Sequence, residues 1–148
     1  MNCLARLRPS LILALAAVVL VASGCDNGST SLTAPDQSAV VYSQTDLTVG
    51  TGAEATPGTR ATVQYGGWLY SASAPDHKGT QFGAEQFTFV VGDGSIIKGF
   101  DTAVTGMKVG GQRRVVIPPS LAYGATGNGA TIPPNAALVF DILLGVVQ

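Results

Sequence analysis

Apolar and polar positions divide the chain into three parts. Residues 11–22 are an uninterrupted run of apolar residues that follows Arg6 and Arg8. Residues 26–39 are rich in Ser, Thr, Asp and Asn and show no apolar periodicity. From about Val40 short alternating stretches begin. Ala61, Val63 and Tyr65 fall on one side of an extended segment and Thr62 and Gln64 on the other, so residues 59–70 predict a half-buried strand. Phe87, Phe89 and Val91 repeat at period two and predict a second strand, closed by Gly92-Asp93-Gly94. Ser95 is placed to cap a short helix from Lys98 to Val104. Ile97, Phe100, Ala103 and Val104 share one face of that helix, and Gly106 ends it. Residues 112–117 predict a third strand, stopped by Pro118-Pro119. Residues 137–147 predict a long apolar last strand, reached through a Gly- and Pro-rich loop at 122–135. One short helix against several antiparallel strands makes an α+β domain, an antiparallel β-sheet curled around one short α-helix.

Composition explains the first two parts. The 148 residues are 46% hydrophobic and 11% charged, with a net charge of −1. That suits a single globular domain and excludes a mainly disordered chain. There is no basic surplus to neutralise phosphates, so nucleic acid is not expected as a partner. A basic start, an apolar run and small residues after it describe a secretory signal peptide over residues 1–24. The apolar run of 12 residues is too short to span a bilayer comfortably. Ala22, Ser23 and Gly24 lead into Cys25, which resembles a bacterial lipoprotein signal, cut before the Cys and acylated on its thiol. The only other Cys, Cys3, would leave with the signal peptide, so no intramolecular disulfide is expected. The expectation is an exported protein, anchored in a membrane through lipid on Cys25 and facing the periplasm or the cell exterior. Residues 25–40 would be the lipidated Cys and a flexible tether, and residues 41–148 the folded domain. Without residues 1–24 the chain carries six basic and nine acidic residues, a net of −3.

The domain is poor in reactive groups. Its one His, His77, sits in a polar loop beside Pro75, Asp76 and Gly79. It has no Cys or second His to share a transition metal with, and no G-x-S-x-G elbow accompanies it. Gly92-Asp93-Gly94 begins like a nucleotide loop, but Ile97 stands at the third Gly position, so it reads as a turn. No cofactor is expected. What the chain offers instead is aromatic residues at strand ends and loop edges.

Several ordered motifs carry a resemblance: VQYGGWLY, then the stretch from QFTFVVGDGSIIKGF through M-x-V-G, A-Y-G and the I-P-P loop to the closing L-V-F-D strand. From about Val41 to Val147 the chain resembles the FKBP-type peptidyl-prolyl cis-trans isomerase domain. The resemblance implies a curled sheet around one helix, matching the pattern above, and rotation about X–Pro bonds in proline-containing polypeptides, assisting the folding of exported proteins. It also implies binding of macrolide inhibitors.

Carried onto this sequence, the resemblance implies a proline pocket. Tyr65, Phe82 and Phe87 would be its walls, with Ile96 and Ile97 just before the helix and Phe100 as its floor, where most members carry Trp. Tyr123 would be a hydroxyl donor at the rim, Ile132 and Phe140 would complete the site, and the Ile97 N–H would donate to a substrate carbonyl. Four features depart from the family pattern. Gly83 stands where an Asp usually points into the pocket, with Glu85 nearby. The segment 82–87 is short and the loop 69–81 long, and Asn128 replaces a frequent His. These departures leave open a second function, a chaperone-like module that binds proline with weak or no isomerase activity.

Overall fold

The computed structural model describes residues 37–148; the predicted signal peptide, Cys25 and most of the tether lie outside the described residues. Five strands form one antiparallel sheet: β1 Ser43–Thr48, β2 Arg60–Tyr70, β3 Lys78–Val90, β4 Gln112–Ile117 and β5 Leu138–Val147. Their order across the sheet is β1-β4-β5-β2-β3. A seven-residue helix, α1, spans Lys98–Val104 between β3 and β4.

Alternation decides which face is filled. In β4, Arg113, Val115 and Ile117 are buried while Gln112, Arg114 and Val116 are half-buried. In β5, Leu138, Phe140, Ile142 and Leu144 point the same way and are buried. α1 presents Phe100, Ala103 and Val104 to this face, all buried. A helix this short does not persist alone, so its packing holds it. Gly99 lets it approach β4: a Cβ there would meet the Ile117 side chain at 2.3 Å. The helix C-terminus rests on Arg113, whose Nη1 donates to the Ala103 carbonyl at 2.8 Å while Nε donates to Asp46 Oδ1 at 2.5 Å. One buried guanidinium thus joins β1, β4 and α1.

Four details differ from the sequence pattern. β1 is a strand the pattern misses, because all six of its residues are exposed and none alternates into the core. Backbone pairing with β4, from Ser43 opposite Val116 to Thr48 opposite Gln112, holds it instead. Ser95 does not cap α1. Ile97 occupies the N-cap without a side-chain bond, and the Ser95 N–H is taken by Asp93 Oδ1 at 2.8 Å. The long loop at 69–81 is shorter than expected, since β2 continues to Tyr70 and β3 starts at Lys78. Only a tight tip remains, in which Asp76 and His77 adopt positive φ of 55° and 59° and His77 stacks on Tyr70. Gln37, within the stretch read as tether, is tied to the domain: Nε2 donates to the Tyr70 carbonyl and Oε1 accepts from the Ala137 N–H.

The outer face of the sheet carries an ionic cluster. Asp141 Oδ2 accepts from Lys78 Nζ at 2.5 Å, and Arg114 donates to both Asp141 oxygens at 2.7 and 3.0 Å. Arg114 also reaches Asp76 at the hairpin tip, at 2.8 Å. Lys78 Nζ lies 4.1 Å from the Trp68 ring centroid, and the Trp68 indole fills the space that a side chain at Gly66 would need. Burial raises the Asp141 pKa, but hydrogen bonds and charge from Arg114 and Lys78 outweigh it and hold the carboxyl below its ordinary value.

A depressed folded-state pKa means that the unfolded chain binds more protons in acid, so this stabilisation is present at neutral pH and lost as pH falls through the carboxylate range. Thermal melts should therefore hold steady above about pH 5 and drop below about pH 4. Asp141→Asn should lose about 1–3 kcal/mol at pH 7 and show a shallower acid decline, the remainder coming from Asp46 and Asp93. An acid decline as steep as that of the native chain would contradict this account.

Candidate functional site

The sheet curls over α1 but leaves one end of the concave face open. There a cleft of about 360 Å³ is lined by Tyr65, Phe87, Gly94, Ser95, Ile96, Ile97, Phe100, Tyr123 and Phe140. Each wall comes from a different element: Tyr65 from β2, Phe87 from β3, Phe100 from α1 and Phe140 from β5. They meet because Tyr65 and Phe87 point to the concave face, in register opposite Glu85 and Val63. Phe140 lies opposite Gly67, whose missing side chain makes room: a Cβ there would meet Phe82 at 2.6 Å and Phe140 at 3.1 Å.

Three rings pack edge to face around Phe100, and a fourth, Phe87, is tilted against it at 41°. The Phe100 centroid lies 5.8 Å from Tyr65, 5.7 Å from Phe87, 6.2 Å from Phe89 and 5.2 Å from Phe140. Tyr65 also contacts Phe87 and Phe140 at 5.7 and 5.6 Å. These geometries suit the aromatic quadrupole, which disfavours face-to-face stacking. Phe100 is 3% exposed and Phe140 5%, so both serve the core and the cleft at once.

Polar groups stand at the rim. Tyr123 is exposed at the head of a short 3-10 turn, Gly124–Thr126. Burial raises the Tyr65 pKa above its usual value, and the charges of Glu85 and Tyr123 add to this. The Tyr65 hydroxyl therefore stays protonated through the physiological range. The turn before α1 is pinned by two carboxylates: Asp101 Oδ1 accepts from the Gly92 N–H at 2.9 Å, and Asp93 holds Ser95. This fixes Ile97, whose carbonyl receives the N–H groups of Phe100 and Asp101. Among the described residues no acceptor takes the Ile97 N–H.

Of the residues expected from sequence, Tyr65, Phe87, Ile96, Ile97, Phe100, Tyr123 and Phe140 come together on the lining. Phe82 and Ile132 do not. Phe82 borders the lining, half-buried and edge-on to Phe140 at 5.5 Å. The β2–β3 pairing slips there, from Gly67 opposite Gly83 to Trp68 opposite Gln81, and the unpaired Phe82 turns its ring toward Gly67 and Phe140. Ile132 is 4% exposed and anchors the loop between β4 and β5, exchanging both backbone hydrogen bonds with Asn128. Its carbonyl comes so close to Gly127 that a Cβ there would lie 2.4 Å away. Gly94 and Ser95 line the cleft unexpectedly; their signal was the Gly92-Asp93-Gly94 turn, which shapes the entry to α1. At Gly83 a Cβ would meet only the Tyr65 hydroxyl, at 3.6 Å. His77 lies at the hairpin tip, outside this lining.

Comparison with known proteins points in one direction. The profile of the FKBP-type peptidyl-prolyl cis-trans isomerase family matches residues 52–145. An FK506-binding protein of Neisseria meningitidis serogroup A is 41% identical over 104 residues, covering 67% of this chain and 89% of that protein. The peptidyl-prolyl cis-trans isomerase FKBP53 of Arabidopsis thaliana is 43% identical over 97 residues, covering 66% of this chain and 20% of that protein. A peptidyl-prolyl cis-trans isomerase of Pseudomonas syringae superposes with a TM-score of 0.61 at 36% identity, covering 77% of this chain and 82% of that one.

The two wall residues differ in how deeply they are built into the core, which separates their mutational effects. Phe140→Ala should cost about 3–5 kcal/mol in denaturant melts, as a core truncation. Tyr65→Ala, at a half-buried ring, should cost clearly less yet lower turnover of an X–Pro peptide by about tenfold or more. Parallel loss of stability and turnover in Tyr65→Ala would reduce that ring to core packing.

Proposed function

The chain belongs to the FKBP-type peptidyl-prolyl cis-trans isomerase family, and from that membership we propose which residues work and where the protein acts. Its activity is rotation about X–Pro peptide bonds. The observation that carries the residue assignment is the four-ring cleft, lined by Tyr65, Phe87, Phe100 and Phe140.

The chemistry follows from amide resonance. An X–Pro bond is planar because its C–N bond has partial double-bond character, and twisting it costs about 18–20 kcal/mol. The twisted amide loses resonance and its carbonyl becomes less polar. Water favours the planar dipole; a dry aromatic cleft does not. The proline ring sits on Phe100 between Tyr65, Phe87 and Phe140, with Ile96 and Ile97 along the side. The Ile97 N–H and the Tyr123 hydroxyl donate to flanking carbonyls and hold them when the chain is turned. Both effects favour the twisted state over the ground state, which is how binding becomes rate. No bond forms or breaks, so no nucleophile and no proton carrier is required. The same cleft is suited to macrolides, as the names of FK506-binding relatives suggest for those proteins.

The place of action rests on the N-terminal sequence. The basic start, the apolar run and Ala22-Ser23-Gly24-Cys25 support export and lipidation at Cys25. The protein then works on exported polypeptides from a membrane surface.

A protease-coupled or NMR exchange assay on a short X–Pro peptide should show isomerisation well above the uncatalysed rate. A background rate from a folded domain would leave only a proline-binding role. Cys25→Ser should move the protein from the membrane fraction to the soluble fraction after cell lysis, and continued membrane association would refute the lipid anchor.

A further inference from the structure

The cleft lining carries no carboxylate, yet one without an ion-pair partner lies on β3 beside two of its walls. Glu85 lies on β3 directly opposite Tyr65, between Phe87 and Gly83. Strand alternation puts Glu85 on the concave face with Phe87, and cross-strand neighbours of this kind have Cβ atoms about 5 Å apart. Its field is felt at the Tyr65 hydroxyl, whose pKa it helps to raise. β3 is the edge strand of the sheet, so the Glu85 side chain has open space on one flank.

Nothing nearby neutralises it. The ion pairs among the described residues use Lys78, Arg113 and Arg114 with Asp46, Asp76 and Asp141, and none reaches Glu85. Its neighbours along β3 are Gly83, Ala84 and Gln86, and those across on β2 are Gln64 and Gly66, all uncharged. Gly83 leaves the space between Glu85 and Phe82 open, as only the Tyr65 hydroxyl would contact a side chain there. The other acids near the cleft are committed elsewhere: Asp93 turns back onto Ser95, and Asp101 holds Gly92. Water solvates this exposed carboxylate, and it is free to meet a cationic side chain of a bound substrate.

We propose that Glu85 is a specificity-determining residue of this isomerase, selecting polypeptides with a Lys or Arg within two residues of the proline. The proposal rests on the isomerase reading of the cleft. A basic side chain leaving the cleft over β3 meets Glu85 at the concave edge, whereas an acidic one meets like charge there. The pair is exposed to solvent, so its effect is modest and screened by salt.

The test uses the domain with matched peptides that carry Lys, Gln or Glu at each position from two before to two after the proline. At one position at least, kcat/KM should rank Lys over Gln over Glu, with Lys exceeding Glu by about three- to tenfold at roughly 0.01 M salt. The ratio should shrink by half or more at about 0.5 M salt. Glu85→Gln should bring it to within about twofold of unity, Glu85→Asp should keep its direction, and Asp93→Asn should leave it in place. Peptide affinity, measured by titration, is the second readout. If the Gln peptides bind but are not turned over, the isomerase reading fails while the charge ranking is still decided by affinity. No ranking in the native domain, a ranking that survives in Glu85→Gln, or one that vanishes in Asp93→Asn would each overturn the proposal.

Discussion

Phe100 is the contact on which the rest of the molecule turns. A curled sheet has a concave face that must be filled, and α1, seven residues long, is too short to be stable without that face. Phe100 joins them, with four aromatic rings from β2, β3 and β5 within 6.2 Å of its centroid. Gly99 beside it lets the helix sink against Ile117, and Arg113 holds the last turn from below. The same ring is the floor of the cleft. Stability and function therefore share a side chain: the cleft is where the core reaches the surface.

That arrangement dictates where charge is placed. The Lys78, Asp141, Arg114 and Asp76 cluster lies on the outer face, because Arg114 and Asp141 alternate away from Val115 and Phe140. Arg113 is the one charged side chain on the inner face of β4, and it is spent on the helix end and on Asp46. The cleft joins aromatic walls to hydroxyls and backbone groups at its rim. The aromatic walls weaken the advantage that water gives to a planar amide dipole.

Much of this was legible in the sequence where a side chain repeats at a structural period. β2, β4 and β5 alternate visibly, and the apolar face of α1 is spaced correctly. Seven of the nine expected cleft side chains fall on the lining because aromatic residues at those places belong to recognisable motifs. What the pattern misses depends on backbone or on long-range geometry. β1 has no buried side chain to announce it and is held by main-chain pairing with β4. Ser95 has the right chemistry for a cap, but Asp93 and Asp101 shape the turn first and leave the N-cap to Ile97. Phe82 borders the lining because a slip in the β2–β3 pairing sets its ring against Gly67 and Phe140, and Ile132 is drawn into the β4–β5 loop that folds on Gly127. None of these follows from local composition.

The central claim is that rate comes from desolvation and positioning without proton transfer, and the pH dependence of kcat/KM on an uncharged X–Pro peptide tests it most directly. His77, the chain's only His, lies outside the cleft lining, and Tyr65 remains protonated because burial holds its pKa above the ordinary phenol value. The profile should be flat from about pH 5.5 to 8.5, across the range in which a histidine would titrate. A bell-shaped or sigmoidal profile in that range, with the domain folded throughout, would contradict the account.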